Sequence, residues 1–513
     1  MSPRLTVEVG LRYDLPVGRY DNNNTLSSFD PNLANPGAGG RKGALAIAGK
    51  GTGHTGQHRF GDLDKTEIAP RIGVAYRLND KTVVRGGFGL MYAYGNGLTT
   101  AQCALCSLGS TALVQEVSNG LNQAFNWDIG LLPQASFRQP PQLDPASANG
   151  GPILFVDPNN GQAPRFLNYS VGVQRQLPMS ARLDVIFAGS HGDRLSGSIP
   201  LNQADPKYLA QGALLALPIT DARVRAAGFT APYAGFTGTL AQALRPYPQF
   251  GDITNPYSAT LHSDYKSLQI RMERRSGPML MQGNYTWSRA TSDGAASLAL
   301  NDLLAPQNQY NLSAQESRQL DDIPQALNLV YSYELPVGHG KRFMGSARGP
   351  INAVISGWSL AAQQQYRSGN LLIVSAPNSL GNGVLSAART APNTTGQPFR
   401  TSTDAGSLDP NNPTNRWLNP AAFSLAPAFA FGNAANLLDD VRNPSYRVEN
   451  FSAIKKTTLH QSLNLVYRVD LQNAFNRSLF GNINTNLADP GFGRATGTMI
   501  RPRIIQMALT LAF

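Results

Sequence analysis

Residues 69–93 read APRIGVAYRLNDKTVVRGGFGLMYA. Within them Ile72, Val74, Tyr76 and Leu78 alternate with Arg71, Gly73, Ala75 and Arg77. Successive side chains of an extended chain point to opposite sides, so this spacing predicts a strand with one apolar and one polar face. Asn79-Asp80-Lys81 supplies turn residues, and extended chain resumes from Thr82 to Tyr92, which makes the stretch a hairpin. Gly86-Gly87-Phe88-Gly89 interrupts the second strand with glycines, as a bend or a close approach of another backbone requires.

The same unit recurs along the chain. Leu5 to Tyr13 places Leu5, Val7, Val9, Leu11 and Tyr13 opposite Thr6, Glu8, Gly10 and Arg12. Further segments are Leu167–Gln176, Ala181–Ser190, Ser267–Arg275, Met279–Ser288, Leu327–Leu335, Trp358–Tyr366, Arg447–Lys455, Leu463–Gln472 and Arg503–Phe513. Each runs for roughly ten residues, the length a tilted strand needs to cross a bilayer. The spacing predicts about twelve strands whose connections alternate strictly between short turns and long polar segments. The long ones cover 14–67, 93–165, 191–263, 289–325, 372–446 and 476–502. Placing every long loop at one end of the sheet is the habit of outer-membrane barrels, with tight periplasmic turns and long extracellular loops. The expected fold is therefore all-β: an antiparallel transmembrane β-barrel of outer-membrane type, apolar face to lipid and polar face to the lumen. Tyr13, Tyr92, Tyr285, Trp287, Tyr333, Trp358, Tyr366 and Phe513 lie near strand ends, where an interfacial aromatic girdle belongs. The alternative is a large soluble sheet protein burying the apolar face in its own core, which needs a second packed layer.

Composition agrees. Of 513 residues, 42% are hydrophobic and 15% charged, with 50 glycines and 35 prolines, which suits strands joined by turns and loops. The longest apolar runs, such as Ala213–Leu217, fall far short of the roughly 18 residues of a membrane-spanning helix. The net charge of +11 admits an anionic partner, but the basic residues form no stripe or tail, so nucleic acid is not expected. Cys103 and Cys106 form a lone CxxC in a Ser-, Gly- and Thr-rich stretch; a small loop disulfide is the favoured reading, free thiols the alternative. A single pair cannot complete a four-ligand zinc site.

The inward faces carry Arg12, Arg71, Arg77, Arg85, Arg182, Arg271, Arg275 and Arg468 against Glu8, Asp184, Glu273, Glu334 and Asp470. Such an excess could focus anionic ligands, although pairing among themselves and with a plug is the favoured reading. Arg12, Arg71, Arg85, Arg271 and Arg468 are the lumen-facing basic candidates, and the long loops are the expected recognition surface for an extracellular ligand. His54 and His58 stand four apart in a Gly-rich loop, not on a helix face, so metal binding is not expected there. Asp157–Gly161 and Asp409–Pro413 lack the later bidentate carboxylate of a calcium loop. No catalytic fingerprint occupies its required context. A lipase would need a serine beside His191, His262, His339 or His460, all of which are expected in loops or turns. No cofactor and no enzymatic activity are expected.

RLTVEVGLRYDLP (4–16), the 69–93 hairpin, NYSVGVQRQLP (168–178), YKSLQIRMERR (265–275), GNYTWSRA (283–290), NRWLNPAAF (415–423), VDLQNAFNR (469–477) and FGNINTNLADPGFGR (480–494) follow in the order of a known pattern. Together they resemble the C-terminal barrel of TonB-dependent outer-membrane receptors, in particular the Oar-like group, whose full-length members carry a carboxypeptidase-regulatory-like domain ahead of the plug. The resemblance implies TonB-dependent uptake of a scarce large ligand (siderophore, glycan or peptide) across the Gram-negative outer membrane. A passive porin-like channel or a surface-organising protein is the alternative. Such receptors have a signal peptide, a TonB box, a plug and a 22-stranded barrel, whereas residues 1–513 supply about the last twelve strands. The expectation is a fragment, with the elements that engage TonB lying upstream. The end, IIQMALTLAF, puts Ile505, Met507, Leu509, Leu511 and Phe513 on the outward face. It resembles the terminal signal read by the β-barrel assembly machinery, with Met507, Leu509, Leu511 and Phe513 as its residues.

Overall fold

The computed structural model describes residues 4–15, 22–93, 107–110, 128, 142–157, 162–195, 197–256, 258–294, 306–380, 390–460 and 462–513. One sheet dominates. Its long strands are β1 (Leu5–Tyr13), β2 (Ile68–Asn79), β3 (Thr82–Tyr92), β4 (Arg165–Leu177), β5 (Ala181–Leu195) and β6 (Leu261–Ser276). They continue with β7 (Met279–Ser292), β8 (Gln325–Glu334), β9 (Trp358–Arg367), β10 (Tyr446–His460), β11 (Leu463–Gln472) and β12 (Ile504–Ala512). Consecutive long strands pair antiparallel from β1 through β12, so the chain meanders across the sheet without a crossover. A two-residue strand, Ser317–Arg318, extends the ladder at the end of β7.

Register decides which side chains share a face. Val7 opposes Val74, Ile72 opposes Phe88, Val171 opposes Phe187, and Phe187 opposes Leu268, which in turn opposes Trp287. Tyr285 opposes Leu327 and Val469 opposes Met507 on the same side. The other face runs through Arg85–Gly172, Gln174–Asp184, Arg271–Asn284, Asn328–Gln365, Gln363–Asn450 and Ser452–Asp470. The apolar face is uncovered: Val9, Val171, Trp287 and Leu509 all project into the surroundings. Among the described residues no second layer buries it, as a soluble sandwich would require.

Tight turns close one end. Lys81 N–H donates to Asn79 Oδ1 at 3.0 Å in the β2–β3 turn, and Gly277 takes a positive φ of 67° between β6 and β7. One connection at this end departs from the expected alternation. The β8–β9 link spans residues 335–357 and holds a short helix, Gly349–Ile355. Trp358 Nε1 donates to the Val354 carbonyl at 2.9 Å and Lys455 Nζ to the Ser356 carbonyl at 2.7 Å, so the link is tied to β9, which it enters, and to the neighbouring β10.

The long loops at the other end are more than polar coils. Strands Ser27–Asn35 and Arg41–Ile47 pair, and Phe29, Leu45 and Ile47 pack with Ile153, Phe250 and Ile253. Phe29 meets Tyr247 and Phe250 edge-on, with ring centroids 4.7 and 5.6 Å away. A second cluster joins Leu215, Val224 and Leu240 of the 196–260 connection to Leu380. A third joins Val374, Trp417, Leu418 and Val441 to Ile483 and Phe492. Burying apolar surface at about 25 cal/mol per Å² is what lets loops of this length hold a shape against chain entropy.

Candidate functional site

The polar face carries an open cavity of about 790 Å³ that six successive strands line. β6 gives Glu273 and Arg275, β7 Gln282, β8 Ser332, β9 Gln363, β10 Asn450 and Ser452, and β11 Arg468, Asp470 and Gln472. At about 4.8 Å per strand a flat sheet would spread these residues over some 24 Å. A single cavity touching all six therefore requires the sheet to curl around its polar face.

Glu273 organises the charge. It is nearly buried and accepts from Arg182 at 2.9 Å, from Arg271 at 3.1 Å, and from Arg275. Arg182 also reaches Asp184 at 3.1 Å. Across the cavity Arg468 donates to Asp470 at 2.8 Å, and Asp470 also accepts from the Ser452 hydroxyl. These pairs occur because residues i and i+2 of a strand, and residues across the ladder, share a face. Three cations on Glu273 leave local positive charge in excess.

The remaining candidates fall elsewhere. Arg71, Arg77 and Arg85 lie on the same face of β2 and β3, and among the described residues none has a carboxylate within ion-pair distance. Gly10 leaves the room across the ladder that the Arg71 side chain fills. Arg12 sits at the loop end of β1 and pairs with Asp14 at 2.7 Å, while Glu334 takes Lys341 at 3.0 Å. Nearby, Glu67 is fully buried and accepts from the Ala163 N–H at 2.9 Å. Burial pushes its carboxyl above the usual range.

Cys103 and Cys106 lie outside the described residues, as do positions 158–161 of the Asp157–Gly161 motif. His54 Nδ1 is 3.2 Å from the Thr52 carbonyl. The placement of three other histidines corrects the sequence reading. His191, His262 and His460 lie in β5, β6 and β10, because the ladders run past the segments in which apolar alternation is legible. His191 contacts Asp264 at 3.0 Å and His262 contacts Asp293 at 2.8 Å. The ladder neighbours of His191 are Leu167 and Asp264, so no serine stands across from it.

Uncovered apolar strands of this length, backed by a charged and wet concave face, define a transmembrane β-barrel sheet. Residues 1–506 match the family described as outer membrane beta barrel domain, and the chain belongs to that family. It resides in the Gram-negative outer membrane. No curated protein matches it. Among solved structures it is similar to the Pseudomonas aeruginosa receptor FpvA bound to a heterologous pyoverdine, at 9% identity and a TM-score of 0.39, covering 100% of this chain and 37% of that one. The ferric-catecholate import receptor Fiu of Escherichia coli K12 gives 11%, 0.38, 100% and 43%. The siderophore receptor PiuA of Acinetobacter baumannii gives 7%, 0.39, 100% and 41%. The chain thus spans about two fifths of the length of the solved structures it matches.

Proposed function

We propose that this chain forms the C-terminal part of the barrel of a TonB-dependent receptor of the Oar-like group, importing a scarce large ligand such as a siderophore, glycan or peptide. The observation that carries the reading is the arginine-biased cavity on the concave face: a ligand too large for a passive pore needs a lined lumen, and anionic groups on it would meet surplus guanidinium charge. The ordered segments that resemble such receptors support the same class. Among the described residues β1 and β12 each pair along one edge only. An open edge is not tolerated in lipid, so strands outside this sequence would complete the barrel, and an upstream plug and TonB box would supply the energy coupling. Reconstituted in planar bilayers, the full-length protein is expected to stay closed and to copurify with the C-terminal domain of TonB. Steady ion conductance by residues 1–513 alone would instead establish a passive channel.

The closing strand would carry the assembly signal. Met507, Leu509 and Leu511 are exposed on the apolar face of β12, and Phe513 is 96% exposed beyond it. Deleting Phe513 from the full-length protein is expected to cut the membrane-inserted, heat-modifiable fraction severalfold, read on a gel of outer-membrane fractions. Insertion at the parental level would remove Phe513 from that role.

A further inference from the structure

The segment NAFNR (473–477) folds into a knot on the apolar side of the sheet, at the rim where the long loops emerge. Asn473 and Asn476 adopt left-handed φ values of 47° and 49°, a conformation asparagine tolerates better than most residues. The buried Asn473 amide donates to the carbonyls of Arg477 and Arg501, each at 3.0 Å, while its Oδ1 accepts from Arg477 N–H. Asn476 Oδ1 accepts from Arg503 N–H at 3.1 Å. The knot thereby clamps β11 to the start of β12 and lays two side chains over the lipid-facing side of β10. Phe475 stands edge-on to Phe451, with centroids 5.9 Å apart, and is 61% exposed. Arg477 forks onto Glu449 with contacts of 2.9 to 3.1 Å.

Glu449 is 1% exposed, and Arg477 satisfies it. Three further arginines remain around it. Arg447 is exposed on the same face of β10, across the ladder from Tyr366, and Arg501 and Arg503 are exposed at the approach to β12. None has a carboxylate within ion-pair distance among the described residues. The rim thus holds four guanidinium groups against one carboxylate, above an exposed phenylalanine at the lipid boundary. Elsewhere on this rim Arg165 spends its charge on Asp193, at 3.0 Å.

We propose that this patch binds the phosphate of a phosphorylated glycolipid of the outer leaflet, namely lipid A. Guanidinium groups match phosphate oxygens with two parallel hydrogen bonds, and an aromatic ring at the boundary suits the acyl chains beneath. Long loops emerge on the extracellular side, so the patch faces the leaflet that carries this lipid. The inference depends on outer-membrane placement and is independent of the transport reading.

The test uses the full-length protein in detergent, titrated with bisphosphorylated lipid A and followed by native mass spectrometry. The variant R447Q/R501Q/R503Q leaves the Arg477–Glu449 pair and the asparagine hydrogen bonds of the knot in place, giving up only the 3.4 Å contact of Arg503 Nη1 with the Ala474 carbonyl. Its affinity for lipid A is expected to fall roughly tenfold to a hundredfold, with heat-modifiability unchanged as the sign of a folded barrel. Lipid A lacking both phosphates is expected to bind the parent protein as weakly as the variant binds the phosphorylated form. Equal binding of lipid A by parent and variant would overturn the proposal. Full displacement of lipid A by millimolar inorganic phosphate would also overturn it, marking a site for free anions.

Discussion

Replacing Val171 by arginine is expected to destabilise the inserted barrel by about 2–4 kcal/mol, whereas Ser170→Arg, one residue away, is expected to stay within about 0.5 kcal/mol. Val171 is the seventh of thirteen residues in β4, the mid-depth of the strand, and is 54% exposed on the apolar face. Its ladder partners there are Phe187 and Gly86. In water a half-exposed valine can become arginine at little cost, because the guanidinium stays hydrated. At the bilayer midplane the same group must be dehydrated or drag water and headgroups inward. Ser170 points to the polar face between Ala188 and Gly87, where an added guanidinium remains wet. Equilibrium unfolding by denaturant in phospholipid vesicles, compared with the same pair in detergent, reads the difference. Equal stabilities for the two variants in vesicles would contradict the assignment of the apolar face to lipid.

The two faces are legible in the sequence alone, because lipid and lumen impose opposite demands at alternate residues for the whole crossing. All twelve long strands fall where alternation places them. Their loop-side ends do not. Ala181–Ser190 proves to be Ala181–Leu195, and Ser267–Arg275 proves to be Leu261–Ser276. Above the membrane both faces are wet, so hydrogen bonding continues while the chemical pattern stops. The loop clusters are hidden for a different reason. Leu215 and Leu380 meet across 165 positions of sequence, and no local periodicity announces such a contact. The β8–β9 link resembles a short turn because Pro336 to Gly340 has turn composition, and its helix lies beyond that run. At the candidate site, residue type and parity indicate which arginines face inward. Which of them share Glu273, and which stand apart on β2 and β3, depends on register between strands far apart in the chain.

The loop cap has its own weak point, and the largest single loss of stability is expected there. Asp322 is 1% exposed and joins three elements. Its Oδ1 accepts from the Ala290 N–H at the top of β7, at 2.7 Å. Its Oδ2 takes Arg442 Nη2 at 2.6 Å, and its carbonyl takes Arg442 Nη1 at 2.7 Å. Arg442 lies in the long connection between β9 and β10, and Trp417 Nε1 donates to its carbonyl at 2.6 Å, which ties the latch to the third apolar cluster. Removing the carboxylate leaves a mostly buried guanidinium with backbone carbonyls but without its counter-charge, and a buried N–H without its acceptor, so Asp322→Ala is expected to cost about 3–5 kcal/mol. Asp322→Asn keeps the size and an acceptor for Ala290, and should cost about half as much. The loss should concentrate in the Ala290 amide and in residues 306–325 and 368–446, seen as faster amide exchange there, with the exchange of β1 to β6 unchanged. The neighbouring Arg318–Asp439 pair adds a pH dependence. The Arg318 hydrogen bond holds the Asp439 carboxyl below its usual range. Its contribution is therefore complete above the unfolded carboxylate value, near 3.8, and fades as pH falls through the depressed native one. Amide protection of both loops should thus survive mild acid and weaken below about pH 4. Unaltered protection in Asp322→Ala at neutral pH would show that the apolar clusters alone hold the cap.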